Sequence, residues 1–470
     1  MSSIEELQNA TENIPLASDK NNENISTLDF KDLASEPITR QSIEKFGNSV
    51  RMTDKDENTG LELYCYNKCD ELDDELLQQC RGVVFNGEEV VMRAFPYTIE
   101  LPNNNKNMIY EKLSPIFKNC RFFDSHEGAL IRMFYFSEKW YICTHRKLNA
   151  FRSKWASKDS FGTSFKKALE NEVEKNEKLR NSIPTDGETV LENFQAILDK
   201  EKQYMFLVRN TKENRIVCAS PPEPCLYHVG TFIKNGVLNM DEDINIPYSK
   251  EYYFNNIEDM IDYTKEIDIR EYQGLIVFAP NNKQYKILNE EYIELFKARG
   301  NEPSIKFRYL QVRMNQRLTD ALYHLYPEHT SIFNDYENAL YAIAKVIYNS
   351  YVQRHIKQKW SQLPNEEYAV DKACHQWHER DQKNNRVKLD KVIEVLNEQH
   401  PTSLNKMIRR YLDENSNKEE IQQTLKTRAR SNTFTKVTNS LTMKGTPTTS
   451  PILLAKPGND LILNDVVEKI

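Results

Sequence analysis

The sequence predicts an α+β protein, with antiparallel β-hairpins over residues 41–302, an α-helical domain over 303–415, and disordered tails at 1–40 and 416–470. Three observations predict it. Runs of β-branched and aromatic residues, broken by short polar turns, recur through the first region. Beyond Ile305 these signals stop and apolar residues return at helical spacing. Both ends are rich in polar residues, the last in Ser and Thr, and too poor in apolar ones to offset the entropy of ordering.

Taken in order, structure is expected to begin near Ile43. Residues 61–66 alternate like a strand, and 70–79 read as an acidic, exposed connection. Arg81 opens a hairpin, 81–85 and 90–95, across Asn86-Gly87, a pair whose two residues both tolerate positive φ. An arginine with apolar neighbours there either pairs with a carboxylate or faces an anion. Residues 123–155 are the densest in chemistry. Glu127-Gly128 runs into strand 129–136, the turn Ser137-Glu138 and strand 139–144, with a basic, aromatic exit. Gly128 has no Cβ and lets backbone approach a ligand closely.

Residues 164–180 place Phe165, Ala168, Leu169 and Val173 on one face of an amphipathic surface helix. Residues 204–209 and 215–219 read as a strand pair joined by the polar NTKEN, and 274–279 pairs with 284–288 across Asn281-Asn282. Asn289 then caps a helix, 290–299, that Gly300 ends. In the helical region Asn334 and Glu337 form a capping pair. Leu340, Ile343, Ala344, Ile347 and Tyr351 follow as a packing stripe, which Leu389, Val392, Ile393 and Leu396 repeat. The C-terminal tail carries a basic cluster, Lys426, Arg428 and Arg430, and two Ser/Thr-Pro sites, Thr446-Pro447 and Ser450-Pro451, and is expected to bind protein partners.

The 470 residues are 39% hydrophobic and 28% charged, enough for two or three domains. The net charge of −7 excludes coating nucleic acid through bulk charge, while leaving room for a local basic surface. No apolar run of about 18 residues exists, and the start is neither a signal nor a transit peptide. An intracellular, soluble, cytoplasmic protein is expected. Eight cysteines, mostly within strand-like runs, suit a reducing compartment. Cys65/Cys69 and Cys218/Cys225 lack tight ligand spacing, and Cys374, His375 and His378 read as a solvated helix face, so no metal site is expected. The Asn- and Lys-rich composition is compatible with an AT-rich, viral genome.

There is no GxxxxGK(S/T) loop, no GxGxxG after a strand, no HExxH and no GxSxG. What stands out is an order of blocks. Arg81-Gly82 opens a hairpin, Glu127-Gly128 opens another, and His145-Arg146-Lys147 through Arg152 is basic. The strand YMFLVR and the turn NRIV come next, then Gln273-Gly274-Leu-Ile-Val, then Lys286 in QYKIL. This order resembles the covalent nucleotidyltransferases, in particular the bacteriophage T4 RNA ligase 1 family and the RNA-ligase-like proteins of large eukaryotic DNA viruses. The resemblance covers roughly residues 45–300. It implies an antiparallel-sheet, ATP-grasp-like adenylation domain with ATP between the sheets, followed by a helical domain where such ligases engage RNA. It also implies a lysine, in a KxDG motif, that takes AMP from ATP and passes it to an RNA 5′-phosphate. Carried across, the nucleotide- and phosphate-binding residues are Arg81, Gly128, Lys147, Arg152, Gln273 and Lys286, and Arg215 also has a counterpart.

The motifs are degenerate. The nucleophile position is Ser125, followed by His126, Glu127 and Gly128. A strand glutamate is replaced by Leu207, a second by Gln273, and the last motif's second lysine by Leu288. A serine hydroxyl has a far higher pKa than an activated lysine and would hold AMP as a stable ester. Losing both glutamates removes acceptors for ribose and divalent metal. Loss of a nucleophile alone costs about 10⁴-fold or more. The expectation is an RNA-ligase-like pseudoenzyme that keeps RNA or nucleotide binding. One rival is an active ligase using ATP and Mg²⁺ through a relocated nucleophile, His126 or a lysine near in sequence, Lys112, Lys118 or Lys147. The other is a structural, virion-associated interaction protein. RNA is the expected partner, and no membrane is.

Overall fold

The computed structural model describes residues 38–416, apart from 71, 94, 210–213, 234–235 and 281. Both expected tails, with their basic cluster and Ser/Thr-Pro sites, lie outside the described residues. The chain divides into two compact units at Asp335/Tyr336. The element type turns helical near residue 302, as the sequence predicts. The helices Ile305–Val312 and Gln316–Leu325 nonetheless belong to the first unit, packing on the helix Glu290–Arg299.

The first unit holds three sheets. Strands β1 (Val50–Asp56), β2 (Leu61–Tyr66), β3 (Arg81–Asn86) and β4 (Glu89–Met92) form a four-stranded antiparallel meander. The remaining strands are β5 (Thr98–Pro102), β6 (Arg121–Ser125), β7 (Ala129–Phe136), β8 (Lys139–Cys143), β9 (Gln203–Arg209), β10 (Cys225–Phe232), β11 (Leu238–Asn239), β12 (Glu251–Tyr252), β13 (Gly274–Phe278) and β14 (Gln284–Leu288). They build two five-stranded sheets, β11-β10-β9-β7-β8 and β12-β6-β13-β14-β5. Within these only β5 and β14 run parallel.

Alternation along the strands decides which residues face which layer. Phe123 and Phe278 of one sheet meet Phe134, Met205 and Phe232 of the other, together with Leu61, Leu63, Val84 and Met92 of the meander, in one shared core. The opposite faces are covered by helices. Phe165, Ala168 and Leu169 of the helix Phe161–Lys175 pack on Ile131, Met133 and Phe206. Met260 and Ile261 of the helix Ile257–Glu266 pack on Leu275 and Val277.

Some local signals held as read. Ser137 and Glu138 take left-handed φ of 48° and 64°, the geometry of a two-residue hairpin turn, although neither is glycine. Asn289 caps Glu290–Arg299, and Gly300 ends it at φ 59°. Several expectations are corrected. Residues 75–79 form a short helix that Asp74 caps and that buries Leu77, rather than an exposed connection. The turn after β3 uses Gly87-Glu88, because Asn86 still pairs with Glu89. The expected helix 164–180 is two helices, Phe161–Lys175 and Glu177–Ser182, since Asn176 leaves helical geometry to cap the second. Residues 215–219 are no strand, and β9 pairs instead with β10 and β7. Asn334 lies inside the helix Thr330–Tyr351 and caps nothing there.

In the second unit, Leu340, Ile343, Ala344, Ile347 and Tyr351 are all buried. The helices Asn365–Arg380 and Leu389–Asn397 pack together, and Arg410 ties Glu366 and Glu367 at 2.8 and 2.7 Å. A π-turn, Val352–Ile356, sets His355 against buried Asp371 at 3.0 Å and stacks it on His375, ring centroids 3.9 Å apart. All eight cysteines are free. No helix among the described residues is long and apolar enough to cross a membrane.

Candidate functional site

A cleft of about 560 Å³ opens between the two five-stranded sheets. Six of the sequence-predicted residues line it: Arg81, Ser125, His126, Gly128, Gln273 and Lys286. They come from four separate places in the chain, brought together by strand pairing. Ser125 ends β6 and pairs with Gly274 of β13, which pairs in turn with Leu288 of β14. Lys286 of β14 therefore sits one strand over from β13, which Gln273 precedes, and two from Ser125 on β6, and Arg81 enters from the start of β3.

Ser125 is buried, and its Oγ donates to Gln273 Oε1 at 3.2 Å. An amide oxygen is too weak a base to remove that proton. Arg81 is held by neutral acceptors. Its Nη1 donates to the Pro96 carbonyl (3.2 Å) and to Thr98 Oγ1 (2.9 Å), and among the described residues no carboxylate pairs with it. Thr98 in turn donates to Gln284 Oε1 at 3.1 Å, which fixes the donor geometry.

Lys286 lies recessed in the cleft, with Glu100 3.9 Å from its Nζ. Desolvation pulls its pKa below the ordinary lysine value; Glu100 opposes the shift and Arg81 adds to it. His126 is wedged between aromatics, stacked on Tyr227 at 4.6 Å and tilted against Tyr272 at 5.0 Å. Burial, and then the Arg209 charge, push its pKa down to about 3, so it is a neutral imidazole whose Nδ1 faces Arg209 Nη1 at 3.4 Å.

Two expected residues are elsewhere. Lys147 points to Asp54, 3.7 Å away, and Arg152 is exposed in the short turn Ala150–Arg152; neither lines the cleft. The reason is a tight turn in which Thr144 Oγ1 accepts from Arg146 N (3.4 Å) and Lys147 N (3.1 Å), while Thr144 N donates to the Lys147 carbonyl (2.9 Å). This turn aims His145 and Arg146 inward and Lys147 outward. Lys154 and Trp155 also reach the cleft. Lys112 and Lys118 do not; Lys112 pairs with Glu111 at 3.0 Å.

The turn is held by a residue the sequence reading passed over. Arg132 is fully buried in β7; its Nη1 donates to the Gly82 carbonyl and its Nη2 to the Thr144 carbonyl (2.6 Å). One guanidinium thus ties the basic turn to the strand that carries Arg81. A charged residue alone in the middle of an apolar strand, IRMF, is the signal that could have found it.

Gly128 lines the cleft, but its missing Cβ answers to protein rather than ligand. A Cβ there would stand 2.6 Å from the Val208 carbonyl oxygen and 3.0 Å from Leu207 Cδ1. Neighbouring Glu127 is structural as well: its carboxylate accepts from the Val217 and Ile216 amides and from the Tyr292 hydroxyl.

Charge in the cleft is one-sided. Arg81, Arg146, Lys154 and Lys286 line it, and Asp124 is the only acid among the lining residues. Asp124 is buried, accepts from the Tyr252 hydroxyl at 3.2 Å, and burial raises its pKa to about 6. These residues fit the phosphates of a nucleotide. They do not fit a protein-held divalent cation, because Leu207 and Gln273 offer no carboxylate. No group of three His, Cys, Asp or Glu among the described residues could hold a metal ion.

No protein-family model matches the chain. It is 29% identical over 364 residues to the "Immediate-early protein ICP-46 homolog" of Invertebrate iridescent virus 6, covering 74% of this chain and 76% of that protein. It is 23% identical over 283 residues to a "Putative bifunctional polynucleotide kinase/RNA ligase" of Autographa californica nuclear polyhedrosis virus, covering 57% of this chain and 37% of that one. An archaeal ATP-dependent RNA ligase superposes with a TM-score of 0.35 at 13% identity, covering 62% of this chain and 77% of that one. The chain is thus similar in sequence to viral proteins, one of which is described as a polynucleotide kinase/RNA ligase.

Proposed function

We propose that the cleft between the sheets binds a nucleotide or the 5′-phosphate end of an RNA, in a ligase-like protein that does not adenylate itself. The observation that carries this is the pairing of Ser125 with Gln273 beside the cations Arg81, Arg146 and Lys286. Where the resemblance would put an amine against the α-phosphate, a buried hydroxyl donates to an amide. Where it would put carboxylates for ribose and metal, there are a leucine and that same amide. Arg81, Arg146 and Lys286 meanwhile face the cleft, and among the described residues no carboxylate comes nearer to any of them than Glu100 does to Lys286.

Each part has a chemical consequence. Guanidinium groups without a described counter-ion, and an ammonium with only a carboxylate 3.9 Å away, favour phosphate, because charge-assisted hydrogen bonds are worth roughly twice neutral ones. A cleft that holds phosphate without an activated nucleophile or metal-binding acids is a binding site. The test is equilibrium binding of 5′-phosphorylated and 5′-hydroxyl RNA of one sequence. The phosphorylated RNA should bind about tenfold or more tightly, and Arg81→Met should remove that preference. Equal binding of the two RNAs would refute the phosphate site.

One observation favours a second reading. Lys286 is desolvated beside Arg81, and a lysine so placed is a better nucleophile than one in water. If the protein takes AMP covalently, Lys286 rather than His126 is the residue to carry it. Label that survives His126→Ala and vanishes in Lys286→Met would establish this.

A further inference from the structure

A second, smaller pocket of about 210 Å³ opens beside the cleft and shares Gly128, Ala129, Trp155, Phe161 and Asn301 with it. Two arginines line it. Arg209 Nη2 donates to the Ala219 carbonyl at 3.1 Å, and Arg215 makes one long contact, Nη2 to the Val217 carbonyl at 3.5 Å. Tyr326 supports the Arg215 guanidinium from one side, with its ring centroid 5.1 Å away. Neither arginine pairs with a carboxylate among the described residues. Glu127, the one acid among the described residues lining the pocket, has Oε1 occupied by the Val217 amide (2.8 Å) and the Tyr292 hydroxyl (2.9 Å), and Oε2 by the Ile216 amide (3.3 Å). Arg215 Nε and Ser220 Oγ are buried without a hydrogen-bond partner among the described residues.

Two guanidinium groups with no counter-ion among the described residues, next to polar atoms without a described partner, are stabilised by an anion with several acceptor oxygens. Trp155 and Phe161, which line both pockets, offer aromatic surface for a base or sugar of the ligand.

We infer that this pocket takes a second phosphate of the same ligand whose first phosphate lies at Arg81, Arg146 and Lys286. The inference rests on the reading of the main cleft as a nucleotide site. The second phosphate belongs either to a 5′-diphosphate or to the next phosphodiester of a polynucleotide, and the test separates them. Calorimetric titration of the full chain with AMP, ADP and adenosine 3′,5′-bisphosphate should show one doubly phosphorylated compound binding about tenfold or more tightly than AMP. An ADP preference identifies the diphosphate, and a bisphosphate preference identifies the polynucleotide. Arg215→Gln should abolish that preference and leave AMP affinity unchanged, and Arg215→Lys should keep part of it.

The inference is overturned if AMP binds and the wild-type chain shows no preference, a result that needs no variant to fold. It is also overturned if the preference survives Arg215→Gln. If none of the three compounds binds, the nucleotide reading itself falls and takes this inference with it.

Discussion

Replacing Lys286 by Met removes the ammonium group, shortens the side chain by one atom and keeps an unbranched apolar stem. In the cleft that charge has been drawn out of water, 3.9 Å from a half-exposed Glu100 and repelled by Arg81. A charged hydrogen bond to phosphate is worth about 1.5–3 kcal/mol, so Lys286→Met should weaken nucleotide or 5′-phosphorylated RNA binding roughly ten- to 150-fold. The same substitution should leave folding stability unchanged or raise it, because the desolvated ammonium is unfavourable in the free protein.

A pH dependence follows from the same burial. The folded pKa of Lys286 lies below the ordinary 10.5, so the ammonium is lost earlier on the alkaline side than in an exposed lysine. Phosphate favours the protonated form. Affinity should therefore fall as pH rises through that lowered pKa, and the fall should vanish in Lys286→Met. Isothermal titration across neutral to alkaline pH, with thermal melts of both proteins, reads all three effects. Full binding by Lys286→Met, or a large drop in its melting temperature, would refute the assignment of Lys286 as a phosphate ligand.

Arg132→Met should destabilise the first unit by about 2–3 kcal/mol in urea unfolding, because the Gly82 and Thr144 carbonyls lose their buried donor. It should also weaken phosphate binding by releasing the turn that aims Arg146. Gly274→Ala should cost roughly 3 kcal/mol or more, since its φ is +150° and a Cβ would overlap the Ile287 carbonyl oxygen between two paired strands. In acid, His126 (about 3) and His228 (about 4) have folded pKa values below the unfolded 6.5, so stability should be lost as pH falls from 6.5 toward 3. Asp124 acts oppositely: its folded pKa of about 6 exceeds the unfolded 3.8, which penalises the fold as pH rises between those values. Asp124→Asn should raise stability above about pH 6, measured by urea midpoints across the range.

Part of the local chemistry was legible in the sequence, and most of the long-range pairing was not. The hairpin at Ser137-Glu138 and the helix between Asn289 and Gly300 are set by residues adjacent in the chain, so pattern alone places them. Strand β10 went unread because its pairing with β9 shifts between His228 and Gly230, which breaks the alternation that marks a strand. The parallel pairing of β5 with β14 joins segments far apart in the chain and leaves no local trace. Residues 215–219 looked like a strand because they are apolar and β-branched; Glu127 instead holds two of their amides from outside.

The site divides the same way. Arg81 and Lys286 lie on strands, where alternation fixes direction, and they face the cleft. In the basic run after β8, composition announces positive charge but not which residue points inward. That choice is made by hydrogen bonds to Thr144 and by the buried Arg132, and it selects Arg146 over Lys147.

The most direct measurement is to incubate the purified chain with radiolabelled ATP and magnesium and to count AMP that survives denaturation, alongside ATP bound at equilibrium. A cleft with a hydroxyl facing an amide predicts bound ATP and no covalent AMP. Stoichiometric AMP on the denatured chain would contradict it.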